Sequence, residues 1–238
     1  ITCESLARPV YHHSAASPHI MDVELVEIGL HNTPDVLRAA LQEKINAVDP
    51  QKYQAVVLGY ALCGRATHGL KAAQIPLVIP RAHDCITLFL GSRSRYDHEF
   101  SQTPGTYWYE QDYVERGNLS DAGLALGTPL DGTKESVYQE YVQKYGKDNA
   151  EYLMEVMGAW QQHYERAAWI ETGMTKNEDA RQNAGLQAEK RKWRLEHLAG
   201  DLDLVRKLLF GEWDDDFLIV DPGKSIEMSN DDNIICAA

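Results

Sequence analysis

From Ile1 to about Ser92, short apolar β-branched runs alternate with stretches of helical spacing. Tyr53-Gln-Ala-Val-Val-Leu-Gly-Tyr60 and Ile75-Pro-Leu-Val-Ile79 read as fully buried strands, because they hold few polar positions and run into Gly, Pro or polar clusters. Asp22-Val-Glu-Leu-Val-Glu-Ile28 alternates apolar and acidic residues, which predicts a strand nearer a sheet edge. A first strand is expected at Ile1-Thr2, ahead of a helix over Ser5 to Ala16. Val36, Leu37, Leu41, Ile45 and Val48 repeat at helical spacing after Thr33 as N-cap and Pro34 at the first helical position, where a missing N–H costs nothing. A short helix is expected between Gly69 and Ile75. Strands and helices in this order predict parallel βα units.

The pattern then changes. Residues 104–132 carry Pro104-Gly105, Gly117, Gly123, Gly127 and Gly132 and read as a long loop region, of the kind that tends to be functional inside a compact domain. From Lys134 to Gly211 the spacing is helical, with breaks near Gly146, Gly173 to Asn177, and Gly200. Leu153, Met157, Trp160 and Trp169 form an apolar stripe suited to helix packing, including a subunit interface between copies of the chain. Phe217-Leu-Ile-Val220 ends in Asp221-Pro-Gly223 and returns the chain to the sheet. The expected fold class is α/β, a mostly parallel sheet with flanking helices and a helical insertion before the last strand. Residues 1–133 and 212–238 would form the core and 134–211 the insertion.

At 238 residues, 44% hydrophobic and 25% charged, the chain has ordinary globular composition and enough length to bury a core. Its 23 basic and 36 acidic residues give a formal charge of −13, which argues against nucleic acid or an anionic membrane as a partner. Basic residues cluster only mildly, at Lys190-Arg-Lys-Trp-Arg194. No apolar run approaches the roughly 20 residues that span a bilayer, and no basic segment followed by an apolar one opens the chain, so a cytoplasmic protein is expected. In that compartment four cysteines read as metal-binding, redox-active or buried thiols rather than a disulfide framework.

Three of them change the picture. Cys3, Cys63 and Cys85 each follow directly after an expected strand, so a parallel sheet would gather them beyond its carboxyl edge, where ligands of α/β sheets collect. None of the local zinc spacings is present, so the fold must assemble any site. Taken singly each thiol reads as core. Three at equivalent strand ends, where loops usually hold polar residues, read as a shared metal or cluster site, with core packing or a redox pair as the alternative. Asp84 is an expected N-cap for Cys85–Leu90, which would put Cys85 in a first helical turn whose dipole favours a thiolate. His83 and Asp84, beside Cys85, are candidates for proton donor, fourth ligand or orienting group, and Arg81 joins them as a candidate catalytic cation. Arg65 and Arg81 could grip a substrate carboxylate or phosphate, or pair with Glu4 or Asp84. Tyr107 and Trp108 are candidates to line the substrate pocket, with core packing as their other use.

The run Pro80-Arg-Ala-His-Asp-Cys-Ile-Thr-Leu-Phe-Leu-Gly-Ser92, with Pro104-Gly-Thr-Tyr-Trp-Tyr109, Gly59-Tyr-Ala-Leu-Cys-Gly64 and Cys3-Glu-Ser-Leu-Ala-Arg8, resembles a bacterial and archaeal domain-of-unknown-function family, number one-six-three-eight. The resemblance is close over about the first 110 residues and loose beyond them. It implies a genomic setting beside corrinoid-dependent methyltransferases and corrinoid proteins, mostly in anaerobes. Arg65 stands where the family has a smaller or Asn-like residue.

Two chemistries fit the three thiols. One is a [4Fe–4S] cluster with one iron open to a small molecule, giving a lyase-type enzyme of anaerobic or one-carbon metabolism. The other is zinc with an open fourth position, activating a thiol or amine in corrinoid-linked methyl transfer. A third reading is non-enzymatic, a metal-binding accessory to a methyltransferase. All three use the same residues and stay open at this level.

Overall fold

The computed structural model describes residues 1–116, 142, 146, 147 and 164–238. The chain forms two compact units, Ile1–Tyr96 with Gly200–Ala238, and Asp97–Ala199. Apart from residues 142, 146 and 147, the expected helices between 134 and 163, with Leu153, Met157 and Trp160, and the later part of the expected long loop lie outside the described residues.

In the first unit, β1 (Thr2–Cys3), β2 (Leu25–Val26), β3 (Val56–Val57) and β4 (Leu77–Pro80) run parallel, and β8 (Phe217–Val220) closes the far edge antiparallel to β4. A parallel bridge between Thr2 and Gly59 joins β1 to the extended chain leaving β3, so the strands lie in the order β2-β1-β3-β4-β8. β4 is buried at all four positions, which is why its sequence is apolar without alternation. Leu77 and Ile79 share one core with Leu37, Leu41 and Ile45 of α2 (Pro34–Asn46). Val78 packs with Leu204 and Leu208 of α7 (Asp203–Phe210) in a separate cluster. The sheet is thus covered on both sides. α1 (Ala7–Ala16), entered through a 3-10 turn over Glu4–Leu6, packs on α7. After β8 the hairpin of β9 (Ile226–Met228) and β10 (Ile235–Ala237) places Cys236 on a paired strand, exposed.

The second unit is also α/β. β5 (Thr106–Glu110), β6 (Arg166–Glu171) and β7 (Arg194–Ala199) form a parallel sheet in that order. α5 (Gln111–Arg116) and α6 (Glu178–Arg191) contribute Val114, Ala180, Ala184 and Ala188 to a core with Tyr107, Tyr109, Ala167 and Trp169. Asn177 caps α6, accepting from the Ala180 N–H at 3.1 Å.

Several local expectations are corrected here. Residues 106–116 are a strand and a helix rather than loop, because the aromatic run Tyr107-Trp-Tyr109 is buried at every position and outweighs the glycines that follow. Within the stretch read as helical, residues 166–171 and 194–199 are strands. β6 lies between two partners, and pairing on both sides overrides the helix preference of Ala167 and Ala168. Trp169 is therefore a strand residue, not part of a helical stripe. No helix forms between Gly69 and β4; Lys71 bridges to Ser225 instead. Thr33 holds the N-cap position of α2 without side-chain capping, its hydroxyl donating to the Leu30 carbonyl. Among the described residues no helix is long and apolar enough to cross a membrane.

Candidate metal centre

Cys3 is the last residue of β1, Cys63 lies six residues beyond β3, and Cys85 five beyond β4. These are three neighbouring parallel strands, and their continuations stay side by side. Leu62 and Cys63 donate their N–H groups to Ala82 and His83, each at 2.9 Å, and the Cys3 N–H donates to the Gly59 carbonyl at 3.3 Å. The three cysteines consequently lie on neighbouring stretches of chain beyond one edge of the sheet. A charge on any one of them raises the pKa of its neighbours: Cys3 acts on Cys63, and both act on Cys85.

Burial dominates their titration. It pushes the Cys63 thiol up to about 12 and the Cys85 thiol well above its ordinary value. The helix start acts in the expected direction, a backbone contact at Cys85 lowering the thiol's pKa, but burial outweighs it. α3 (Cys85–Leu90) is short and wholly buried, and the charge of Asp84 beside the thiol opposes a second negative charge. With nothing bound burial favours the thiol form of Cys63 and Cys85, and a cation is what would hold them ionised. Among the described residues no three Cys, His, Asp or Glu side chains are gathered closely enough to hold a metal ion. The three thiols share a neighbourhood without a closed coordination shell.

Two residues that sequence reasoning passed over belong to this neighbourhood. His31, on a 3-10 turn after β2, brings its Nδ1 to 3.9 Å from Cys3 Sγ and 3.3 Å from the Ile28 carbonyl. Its ring stacks on Tyr60, centroids 5.8 Å apart and planes 19° from parallel. Tyr60 is 1% exposed, and its hydroxyl has no hydrogen-bond partner among the described residues. Burial, then the charges of Cys3, Cys63, Cys85 and Glu4, push that phenol far above its usual range. Ser5 donates its hydroxyl to Cys3 Sγ at 3.2 Å. No sequence signal singles out Tyr60, whose place is a strand end like any other.

The backbone around Cys63 is unusual. Cys63, Gly64 and Arg65 all take positive φ, at 47°, 60° and 75°. Each non-glycine residue in that region costs roughly 1–2 kcal/mol, and such strain concentrates at functional sites. Arg38, paired with Asp35, steadies the turn by donating to the Arg65 carbonyl at 2.7 Å.

The other sequence-predicted residues divide. His83 is exposed, one turn of chain from Cys85 and bonded through its carbonyl to Cys63. Asp84 caps α3, accepting from Ile86 N–H at 3.0 Å and from the Tyr96 hydroxyl at 3.2 Å, and burial raises its pKa. Arg65 projects into solvent. Arg81 spends its guanidinium on the carbonyls of Phe217, Asn233 and Ile235, tying β8 and β10 to the end of β4, so its observed contacts are structural. Tyr107 and Trp108 lie in the second unit, buried in its sheet, with Arg166 over the Trp108 ring. The structure gives them packing roles there.

A family model described as protein of unknown function (DUF1638) matches residues 25–209. The chain belongs to that family. The DUF1638 match takes in Cys63, Cys85, His31 and Tyr60, while Cys3 precedes it. No curated protein and no solved structure matches the chain.

The Asp84 contacts in this DUF1638 protein lead to a simple expectation. Asp84→Ala removes the cap of α3 and should lower stability by about 1 kcal/mol, whereas Asp84→Asn, which caps equally well and carries no charge to bury, should lie close to wild type. Urea melts of the two variants check this, and equal losses in both would show that the carboxylate has a further task at the site.

Proposed function

We propose that this DUF1638 protein is a metal-dependent enzyme whose three cysteines hold a [4Fe–4S] cluster with one iron open to a small molecule, in a lyase-type reaction of anaerobic or one-carbon metabolism. What supports this most is the position of Cys3, Cys63 and Cys85 at or beyond the same edge of three adjacent parallel strands. Both the thiolate donor set and the buried polar hydroxyl of Tyr60 suit an iron–sulfur group. When bound, such a group supplies an electron-accepting iron to which a substrate oxygen or sulfur can attach.

The chain's own residues supply the rest. Ser5 donates to the Cys3 sulfur and so tempers its charge. The left-handed turn at Cys63–Arg65 presents an exposed Arg65 to an anionic substrate group. His83, exposed between the turn and Cys85, is placed to exchange protons with solvent. In this reading the protein works in the cytoplasm on a small molecule, and the gene neighbourhood implied by the family adds a corrinoid protein or methyltransferase as a partner.

The test is metal and acid-labile sulfide content with a visible spectrum, on protein purified without oxygen. About four iron and four sulfide per chain are expected, lost in Cys3→Ser, Cys63→Ser and Cys85→Ser and kept in Cys236→Ser. One zinc per chain would replace the cluster reading with zinc-thiolate chemistry. No metal in the wild type would leave the thiols a packing or redox role.

A further inference from the structure

Tyr60 is out of place as a core residue. It leaves β3 on the extended stretch that leads to Cys63, lies 1% exposed in the same apolar cluster as Cys3 and Leu62, and buries a hydroxyl with no partner among the described residues. An orphaned buried hydroxyl is destabilising, and a phenylalanine of the same shape would avoid the loss. The Tyr60 ring is fixed by stacking on His31, whose Nδ1 lies 3.9 Å from the Cys3 sulfur. Cys3 lies in the same buried cluster as the tyrosine, and Cys63 packs against that cluster.

We infer that the Tyr60 hydroxyl is a hydrogen-bond donor to the group that Cys3, Cys63 and Cys85 hold, so that its missing partner is that group. The inference rests on the three-thiol reading above and adds a fourth protein contact that is not a metal ligand. A donor there lowers the electron density on the bound group and slows its loss.

Wild type and Tyr60→Phe, purified without oxygen, are compared in loaded form and after stripping with a chelator. Without the group, Tyr60→Phe should melt above wild type, because an unpaired hydroxyl has gone. With it, the variant should have a lower midpoint potential and give up its metal to the chelator about five- to tenfold faster, the equivalent of one hydrogen bond. A residue that served packing alone would move both forms in the same direction. Equal release rates and potentials in the loaded proteins, or equal melting of the stripped ones, would overturn the inference and leave the three-thiol site intact. Failure of wild type to load any metal would remove both together.

Discussion

Gly59→Ala is expected to lower the stability of the first unit by about 1–3 kcal/mol and to abolish the metal loading proposed for the three cysteines. β1 is held against the chain leaving β3 by a close backbone approach: Gly59 donates to the Ile1 carbonyl at 2.9 Å, and Cys3 donates to the Gly59 carbonyl at 3.3 Å. Thr2 adds its hydroxyl to that carbonyl at 3.1 Å. A methyl group at residue 59 would stand 2.2 Å from Thr2 Oγ1 and 2.7 Å from Thr2 Cβ. Turning the threonine side chain moves the first atom but not the second, so the strand itself must retreat. Cys3 is the next residue and would go with it, away from Cys63 and Cys85. Adding Thr2→Gly to Gly59→Ala removes both obstructing atoms, and the pair should recover much of the stability and the metal, a non-additivity that a double-mutant cycle measures directly. Urea unfolding and metal content, taken on the same preparations, check both halves. A Gly59→Ala protein as stable and as fully loaded as wild type would show that β1 is not what places Cys3.

The second large effect concerns Arg166. It is 4% exposed on β6, and its guanidinium donates to Thr106 Oγ1 at 2.8 Å, to Glu99 at 2.8 Å and to Glu196 at 3.0 Å. Arg166→Met should cost about 3–5 kcal/mol, chiefly because it strands a buried carboxylate. The burden falls on Glu99. Glu196 is more exposed and keeps Arg194 at 2.8 Å, whereas the Glu99 side chain is only 16% exposed. Combining Arg166→Met with Glu99→Gln should therefore restore most of the loss, since an apolar replacement for a buried pair is far cheaper than half of the pair. Denaturant midpoints for the two variants decide it. A double variant no more stable than the single one would place the energy of Arg166 in its packing over Trp108 instead.

Local signals and long-range ones parted company in this chain. Asp84 was readable as a cap because capping joins residues two apart, and nothing distant can alter that choice. β4 was readable because a strand covered on both faces has no position that tolerates a polar side chain, whereas β3 keeps only Val56–Val57 of the longer strand expected over Tyr53–Tyr60. β6 and β7 were not readable, since their alanines, leucines and charged residues are good helix formers, and only the neighbouring strands select the extended form. The positive φ at Cys63 and Arg65 left no trace beyond Gly64, because strain of that kind is imposed from outside the turn. His31 and Tyr60 were equally silent. Their stacking joins a turn after β2 to a chain leaving β3, and no spacing rule connects the two.

The sequence by itself determined that this is an α/β protein and that three cysteines follow buried strands, because the period of apolar residues and the chemistry of caps and turns act over a few neighbours. Only the tertiary structure decided that β1, β3 and β4 lie side by side, and that Tyr60 is buried in the cluster that holds Cys3, its hydroxyl without a partner among the described residues. Those outcomes depend on which strands pair and at what separation, and Gly59, by letting β1 approach, is the residue through which that long-range choice is made.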